Sequence, residues 1–163
     1  CFGWFGFTLK AVNACLLTCL LLAVFLIDME SLIIPNPLVL LLLLPGVFDM
    51  LLTGFQDIPG RLIGFVVVSL PMLLLTLLIP GCFGGGDIKL MAVCGFLLGW
   101  GPTLLAAFFA VVSCGVVSAV RMAAKKVKKG DHVAFGPYLA LGVFASYLFY
   151  TPILRMYLSL LGM

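Results

Sequence analysis

Six long apolar runs dominate the sequence and restrict its fold more than any other feature. They extend from Phe5 to Ile27, Pro37 to Leu52, Leu62 to Ile79, Ile88 to Trp100, Pro102 to Val120 and Pro137 to Leu161. Charged residues make up 9% of the chain, against roughly 25% in soluble domains, so charge cannot cover a surface exposed to water. Because runs of this kind form membrane-spanning helices, the sequence predicts an all-α, polytopic bundle of about six transmembrane helices. We expect residues 1–163 to form a single membrane-embedded domain.

The fourth run, Ile88 to Trp100, is shorter than the others. Its 13 residues extend about 20 Å as an α-helix, whereas the hydrocarbon core of a bilayer is about 30 Å thick. Either the bilayer is thinner there, or the start of this helix lies below the membrane surface, which would place Asp87 at the floor of a water-accessible cavity. Prolines at the starts of several runs suit the first turn of a helix. Pro45 and Pro71, inside their runs, predict kinks.

The basic residues predict the orientation of the bundle. Five of the nine lie in one short run, formed by Arg121, Lys125, Lys126, Lys128 and Lys129. Such a run is typical of a cytoplasmic loop under the positive-inside rule. Contact with anionic lipid is also compatible, whereas the run is too short for a nucleic-acid surface. Counting back through the helices then places Asp28 and Asp87 on the same, cytoplasmic, side, with Arg61 outside as one exception to a majority bias.

Two of the six acidic residues are distinguished by their positions. Asp28 ends the first apolar run and Asp87 opens the fourth, where an ionisable group is costly and often functional. Each also has a purely structural explanation: Asp28 as an interfacial acid at a helix end, and Asp87 as a first-turn acid favoured by the helix dipole. Their shared side favours a functional pair, because two neighbouring carboxyl groups share a proton and can act as acid and base. Asp57 and Asp131 fit solvated loops, and Asp49 has no assigned role.

Three motifs connect this pair to a known family. Asp28 is followed seven residues later by Pro35-Asn36, and the fourth run opens with Gly84-x-Gly86-Asp87-x-Lys89-Leu90. The last helix begins with Phe135-Gly136-Pro137-Tyr138-Leu139-Ala140-Leu141-Gly142. In this order, and between helices of matching number, the three motifs resemble those of the type IV prepilin peptidases, which are membrane aspartic peptidases with a G-x-G-D motif.

The resemblance covers essentially the whole chain and implies an activity. Such enzymes cut the basic leader peptide from type IV prepilins and pseudopilins, typically after a glycine, at the cytoplasmic face of the inner membrane. By resemblance, Asp28 and Asp87 would be the catalytic pair, and Gly84, Gly86 and Lys89 would support Asp87. No metal or other cofactor is expected, and the expected partners are the substrate and the lipid bilayer.

Other residues near the motifs carry weaker expectations. Glu30 would contact the basic leader or face water. Lys89 would screen the aspartate pair or extend its ammonium group to the lipid headgroups. Pro35 and Asn36 are expected to shape the turn into the second helix, Pro35 through its fixed φ and Asn36 as a helix cap. His132, in a polar loop, is expected to be solvated. The six cysteines lack C-x-x-C spacing and are expected to pack as small apolar residues.

Longer bacterial members of the family differ from this sequence at one point. They carry an N-terminal cytoplasmic region, often with paired C-x-x-C zinc motifs, that is linked to N-methylation of the cut pilin. Nothing in this sequence matches that region, so we expect either the peptidase core of a longer protein or a short, peptidase-only type.

Two alternatives to a prepilin peptidase stay open at this point. An archaeal preflagellin peptidase would share the chemistry and differ in substrate. A non-enzymatic transporter or assembly scaffold would use Asp28 and Asp87 as ion or proton ligands. A transporter is expected to place such acids near the bilayer midplane, rather than at the cytoplasmic ends of helices.

Overall fold

The structure is a computed structural model, and it describes residues 9–31, 34–53, 57–79, 83–124 and 135–160. These residues contain eight helical segments and no strand. The segments are α1 (Leu9–Ser31), α2 (Asn36–Leu41), α3 (Leu43–Thr53), α4 (Ile58–Val67), α5 (Ser69–Leu78), α6 (Gly85–Leu98), α7 (Trp100–Ala123) and α8 (Gly136–Leu160). Because α2 continues into α3 and α4 into α5, the described residues form six rods, one for each apolar run. The predicted all-α bundle is confirmed.

Proline accounts for both interrupted rods. α2 ends at Leu41, four residues before Pro45, and α4 ends at Val67, four residues before Pro71. Proline has no N–H to donate to the carbonyl four residues earlier, and its ring collides with that carbonyl. Each interruption therefore falls where the missing hydrogen bond belongs, and the two kinks predicted from the sequence are present.

The outside of the bundle is apolar. Many large side chains are exposed there, among them Leu26, Leu44, Leu77, Phe108 and Val120. In the described part of the chain, four helical stretches are long and apolar enough to cross a membrane, namely Ala11–Ser31, Ile58–Leu78, Trp100–Ala123 and Gly136–Met156. An apolar exterior of this extent is stable in lipid rather than in water, so the chain is a multi-pass membrane protein.

α6 lies at the centre of the bundle and is the short fourth rod that the sequence predicts. It has 14 residues, about 21 Å of helix, and packs against α2, α3, α4, α5, α7 and α8. Its buried residues are Asp87, Leu90, Met91, Ala92, Val93, Cys94, Gly95 and Leu97. At its end, Gly99 has a φ of 82°, which suits glycine and lets the chain turn directly into α7.

Two glycines allow α6 to touch α4. A Cβ atom on Gly64 would overlap the carbonyl oxygen of Gly95, and a Cβ atom on Gly95 would overlap that of Gly64. The two backbones are therefore in direct contact, which is the close approach that small residues permit between membrane helices. This crossing fixes the lateral position of α6 in the bundle.

Replacing Gly95 with alanine tests this crossing. Because Gly95→Ala forces two backbones apart, we expect it to lower the free energy of unfolding by about 1–3 kcal/mol, measured by unfolding in detergent micelles. Gly115→Ala on α7 is the matched control, since a Cβ atom there meets nothing within 4 Å. Alanine favours the helix over glycine, so the control is expected to keep or raise stability. Equal losses in both variants would contradict the glycine contact.

Candidate active site

The structure brings Asp28 and Asp87 together at one end of the bundle. Asp28 lies in the last turn of α1 and is 4% exposed, and Asp87 is the third residue of α6 and is 8% exposed. Their carboxyl groups lie close enough to interact electrostatically. Two buried acids that interact with each other are rare in a membrane bundle unless they have a function, so this pair is the candidate active site.

In the part of the chain that the structure describes, the helices that carry Asp28 and Asp87 do not pack against each other. Among the described residues, α1 packs against α2, α3 and α8, and has no direct packing against α6. The separation of the two carboxyl groups is therefore set by the segments that hold each one, and not by an α1–α6 contact.

Asp87 is oriented by the glycines that precede it. The backbone N–H of Gly84 donates to Asp87 Oδ2 at 3.3 Å, and the N–H of Asp87 donates to the carbonyl oxygen of Gly84 at 3.1 Å. A Cβ atom on Gly86 would lie 2.9 Å from Ile34 Cβ, whereas one on Gly85 would meet nothing within 4 Å. A side chain at Gly84 or Gly86, the two motif glycines, would therefore meet a close neighbour, whereas one at Gly85 would not.

Asp28 is oriented by the start of α8. The backbone N–H of Gly136, the first residue of α8, hydrogen-bonds the Asp28 carboxyl group. A Cβ atom on Gly136 would lie 2.5 Å from Asp28 Oδ2, so only glycine fits there. Asp28 Oδ2 itself is buried and has no hydrogen-bond partner within the described ranges. The sequence analysis named the motif containing Gly136 but gave this glycine no role.

An aromatic contact connects the two segments that hold the aspartates. The rings of Phe83 and Phe135 lie 5.2 Å apart between centroids, at an interplanar angle of 53°. Phe83 directly precedes Gly84, and Phe135 directly precedes Gly136. Both rings also pack against the hydrophobic core, so the starts of α6 and α8 are joined beside the carboxyl pair.

The structure corrects the expectation for Asn36. The N-cap of α2 is Pro35, which has an extended backbone (φ −64°, ψ 132°) and makes no side-chain cap. Asn36 is already the first helical residue, so its side chain cannot serve as the cap. Its Oδ1 atom instead accepts a hydrogen bond from Lys89 Nζ at 3.0 Å, which ties α2 to the second turn of α6. Lys89 and Glu30 are both exposed.

Some residues named in the sequence analysis lie outside the described residues. These are Cys1, Cys82, Lys125, Lys126, Lys128, Lys129, Asp131 and His132. Arg121 is described and lies in the last turn of α7. Within the described ranges, no group of three or more His, Cys, Asp or Glu residues could hold a metal ion.

A second polar cluster, which the sequence analysis missed, lies at the other end of α6. Arg61 on α4 is 8% exposed and forms an ion pair with Asp49 on α3. Arg61 Nη1 also donates to the carbonyl oxygens of Leu97 at 3.0 Å and Phe96 at 3.4 Å. Arg61 is therefore neutralised inside the bundle, which explains why it does not follow the charge bias of the loops. The signal was present in the sequence: an acid and a base near the same predicted end of adjacent helices.

Comparison with known proteins gives the family. Residues 15–119, which include both aspartates of the candidate site, match the family model described as Type IV leader peptidase family. The chain belongs to this family. The resemblance inferred from the three motifs is confirmed.

Three curated relatives that the chain resembles carry the name prepilin leader peptidase/N-methyltransferase. That of Bacillus subtilis is 28% identical over 156 residues, which cover 96% of this chain and 63% of the relative. That of Pseudomonas aeruginosa is 32% identical, with 97% and 56% covered, and that of Stutzerimonas stutzeri is 33% identical, with 95% and 55% covered. The chain thus spans somewhat more than half the length of these relatives. No solved structure matches it.

Proposed function

We propose that this protein is a membrane aspartic endopeptidase that cleaves the leader peptide from type IV prepilins or pseudopilins. The observation that carries the proposal is the pair of buried carboxyl groups, Asp28 and Asp87, which interact at one end of the bundle. Membership of the leader peptidase family supports the hydrolytic class. The printed name of the relatives supports the substrate class.

The chemistry follows from the electrostatic interaction between two buried carboxyl groups. In a site of low dielectric both cannot ionise readily, so the pair retains one proton and titrates as a unit. The ionised carboxylate removes a proton from a water molecule, whose oxygen bonds to the scissile carbonyl carbon. The protonated carboxyl group donates a hydrogen bond to the carbonyl oxygen. When the C–N bond breaks, the pair delivers a proton to the leaving amine.

The surroundings of the pair suit these roles. The backbone N–H groups of Gly84 and Gly136 orient one carboxyl group each, so neither needs a side chain that would block a peptide. Asp28 Oδ2 makes no hydrogen bond to the described part of the protein. A buried carboxyl oxygen without a protein partner is unfavourable, and it is an atom that a water molecule or a substrate carbonyl would satisfy.

Charge supports a cytoplasmic position for the site. α7 ends near Arg121, and α8 begins at Gly136 beside Asp28, so the described helix ends on either side of the basic run lie at the same end as the aspartate pair. The sequence between these helix ends contains Lys125, Lys126, Lys128 and Lys129. Under the positive-inside rule this end faces the cytoplasm, which agrees with cleavage of a leader at the cytoplasmic face of the inner membrane. The exposed carboxylate of Glu30, two residues from Asp28, is available to a basic leader.

The same geometry argues against the transporter alternative. Both aspartates lie at the ends of helices, and they interact electrostatically. Coupling-ion sites of transporters are instead built near the bilayer midplane from interrupted helices. A preflagellin peptidase would share this site and differ only in the substrate.

Asparagine substitutions test the catalytic pair. We expect Asp28→Asn and Asp87→Asn each to slow cleavage of a prepilin with a basic leader and a Gly-Phe junction by roughly 10²–10⁴-fold, because each removes one acid–base group. Purified protein in liposomes is the assay. Asp57→Asn is the control: Asp57 is exposed and caps α4 by accepting from the Gly60 N–H at 3.2 Å. Asparagine caps equally well, so this variant should cleave normally. Full activity in Asp28→Asn would refute the catalytic pair.

Two neighbouring glycines test the packing of the motif. Gly86→Ala pushes α6 away from Ile34 and displaces Asp87, and a displacement of 1 Å can slow an enzyme about 10²-fold. We expect a loss of that order in the rate of prepilin cleavage. Gly85→Ala adds the same methyl group where nothing lies within 4 Å, and should leave the rate unchanged. The same rate in both variants would show that the spacing of the glycines does not position Asp87.

A further inference from the structure

The polar cluster of Arg61 and Asp49 lies at the opposite end of α6 from the aspartate pair. We propose that Arg61, held by Asp49, is a positioning residue that fixes α6 along its axis and thereby sets the separation between Asp87 and Asp28. The inference rests on the proposed peptidase function, since the separation matters only if the two aspartates react together.

The contacts of Arg61 are of the kind that fix a helix along its axis. Most of α6 packs through apolar side chains and glycines, and such contacts are non-directional. Hydrogen bonds to Phe96 and Leu97 are directional, and they satisfy carbonyl groups that the helix end leaves without a partner. The positive guanidinium group also complements the partial negative charge of the helix C-terminus. Its planar fork bonds the ion-pair partner Asp49 at the same time, so α3, α4 and α6 are joined at one point.

A shift of α6 would pass directly to the active site. Asp87 lies in the first turn of α6 and Leu97 in the last, within a single 14-residue helix. α1, which carries Asp28, does not pack against α6 in the described part of the chain. If α6 moved along its axis, Asp87 would move with it and Asp28 would not follow.

The same cluster also reaches the helix that holds Asp28. Tyr147 on α8 interacts electrostatically with Asp49, and Gly136 at the start of α8 hydrogen-bonds Asp28. The Arg61–Asp49 cluster therefore interacts both with α6, which carries Asp87, and with α8, which begins beside Asp28. The other polar link of α6, from Lys89 to Asn36, is exposed, and water competes for its hydrogen bond.

The test compares pH–rate profiles of prepilin cleavage in liposomes. The variant Asp49→Asn/Arg61→Met removes both charges, so that neither is left buried without its partner. If the carboxyl groups move apart, their mutual repulsion falls, and the second of them ionises at lower pH. We expect the alkaline limb of the profile to move to lower pH by roughly 0.5–1 unit, with kcat falling more than KM rises. The other titratable groups described at that end, Glu30, Lys89, Arg121 and Tyr138, are unchanged by the substitutions.

The matched control is Asn13→Leu. Asn13 Nδ2 donates to the carbonyl oxygen of Pro45 at 3.1 Å in the buried interior, so the variant breaks a buried link between α1 and α3 without touching α6. A merely destabilising change lowers the amount of folded enzyme and scales the rate equally at every pH. We therefore expect a lower rate and an unmoved alkaline limb in Asn13→Leu.

The outcomes separate the two proposals. A shifted limb in the double variant alone supports the positioning role. An unmoved limb in the double variant, or an equal shift in Asn13→Leu, overturns that role while leaving the peptidase intact. Absence of cleavage by the unaltered full protein at every pH overturns the peptidase function and the positioning role together.

Discussion

A polar group enclosed in a membrane bundle must find its partner inside that bundle, and this requirement organises the protein around α6. The short helix packs against six other helical segments, which enclose most of its length. At its start, Gly84 and the side chain of Asp87 bond each other. At its end, the guanidinium group of Arg61 donates to a terminal carbonyl group that water would bind in a soluble helix. The enclosure that makes these partners necessary also places two acids in a low dielectric, the surroundings that the proposed sharing of a proton requires.

The helices could be predicted because lipid imposes simple rules. A rod that crosses the bilayer must be long, apolar and internally hydrogen-bonded, and the six runs meet these conditions in the order that the structure has them. The interruptions at Pro45 and Pro71 could also be predicted from the sequence, because proline affects a carbonyl group only four residues earlier. Asp28 and Asp87 could be singled out as well, since each stands at the border of an apolar run and within a motif.

Other parts of the site could not be predicted, because they depend on which helices are neighbours. Arg61 meets Leu97 across 36 residues of sequence, and neither residue lies in a motif. The bond from Gly136 to Asp28 joins the first and last helices. The prediction for Asn36 was wrong by a single position: the helix starts one residue earlier than a capping role requires, and local patterns place helix ends only to within a few residues.

The burial of the aspartate pair defines what a substrate must displace. Asp28 and Asp87 are nearly inaccessible, so a peptide bond reaches them only if a neighbouring element moves. The starts of α6 and α8 meet through the rings of Phe83 and Phe135, a contact that contributes about 0.5–1.5 kcal/mol beyond burial of its area. The far end of α6 is held by the partly buried ion pair of Arg61 and Asp49 and by two further hydrogen bonds from Arg61, and a hydrogen bond to a charged group contributes about 1.5–3 kcal/mol. Opening is therefore easier at the aromatic contact than by sliding α6. A protein arranged in this way can expose its carboxyl pair while the helix that carries Asp87 keeps its place.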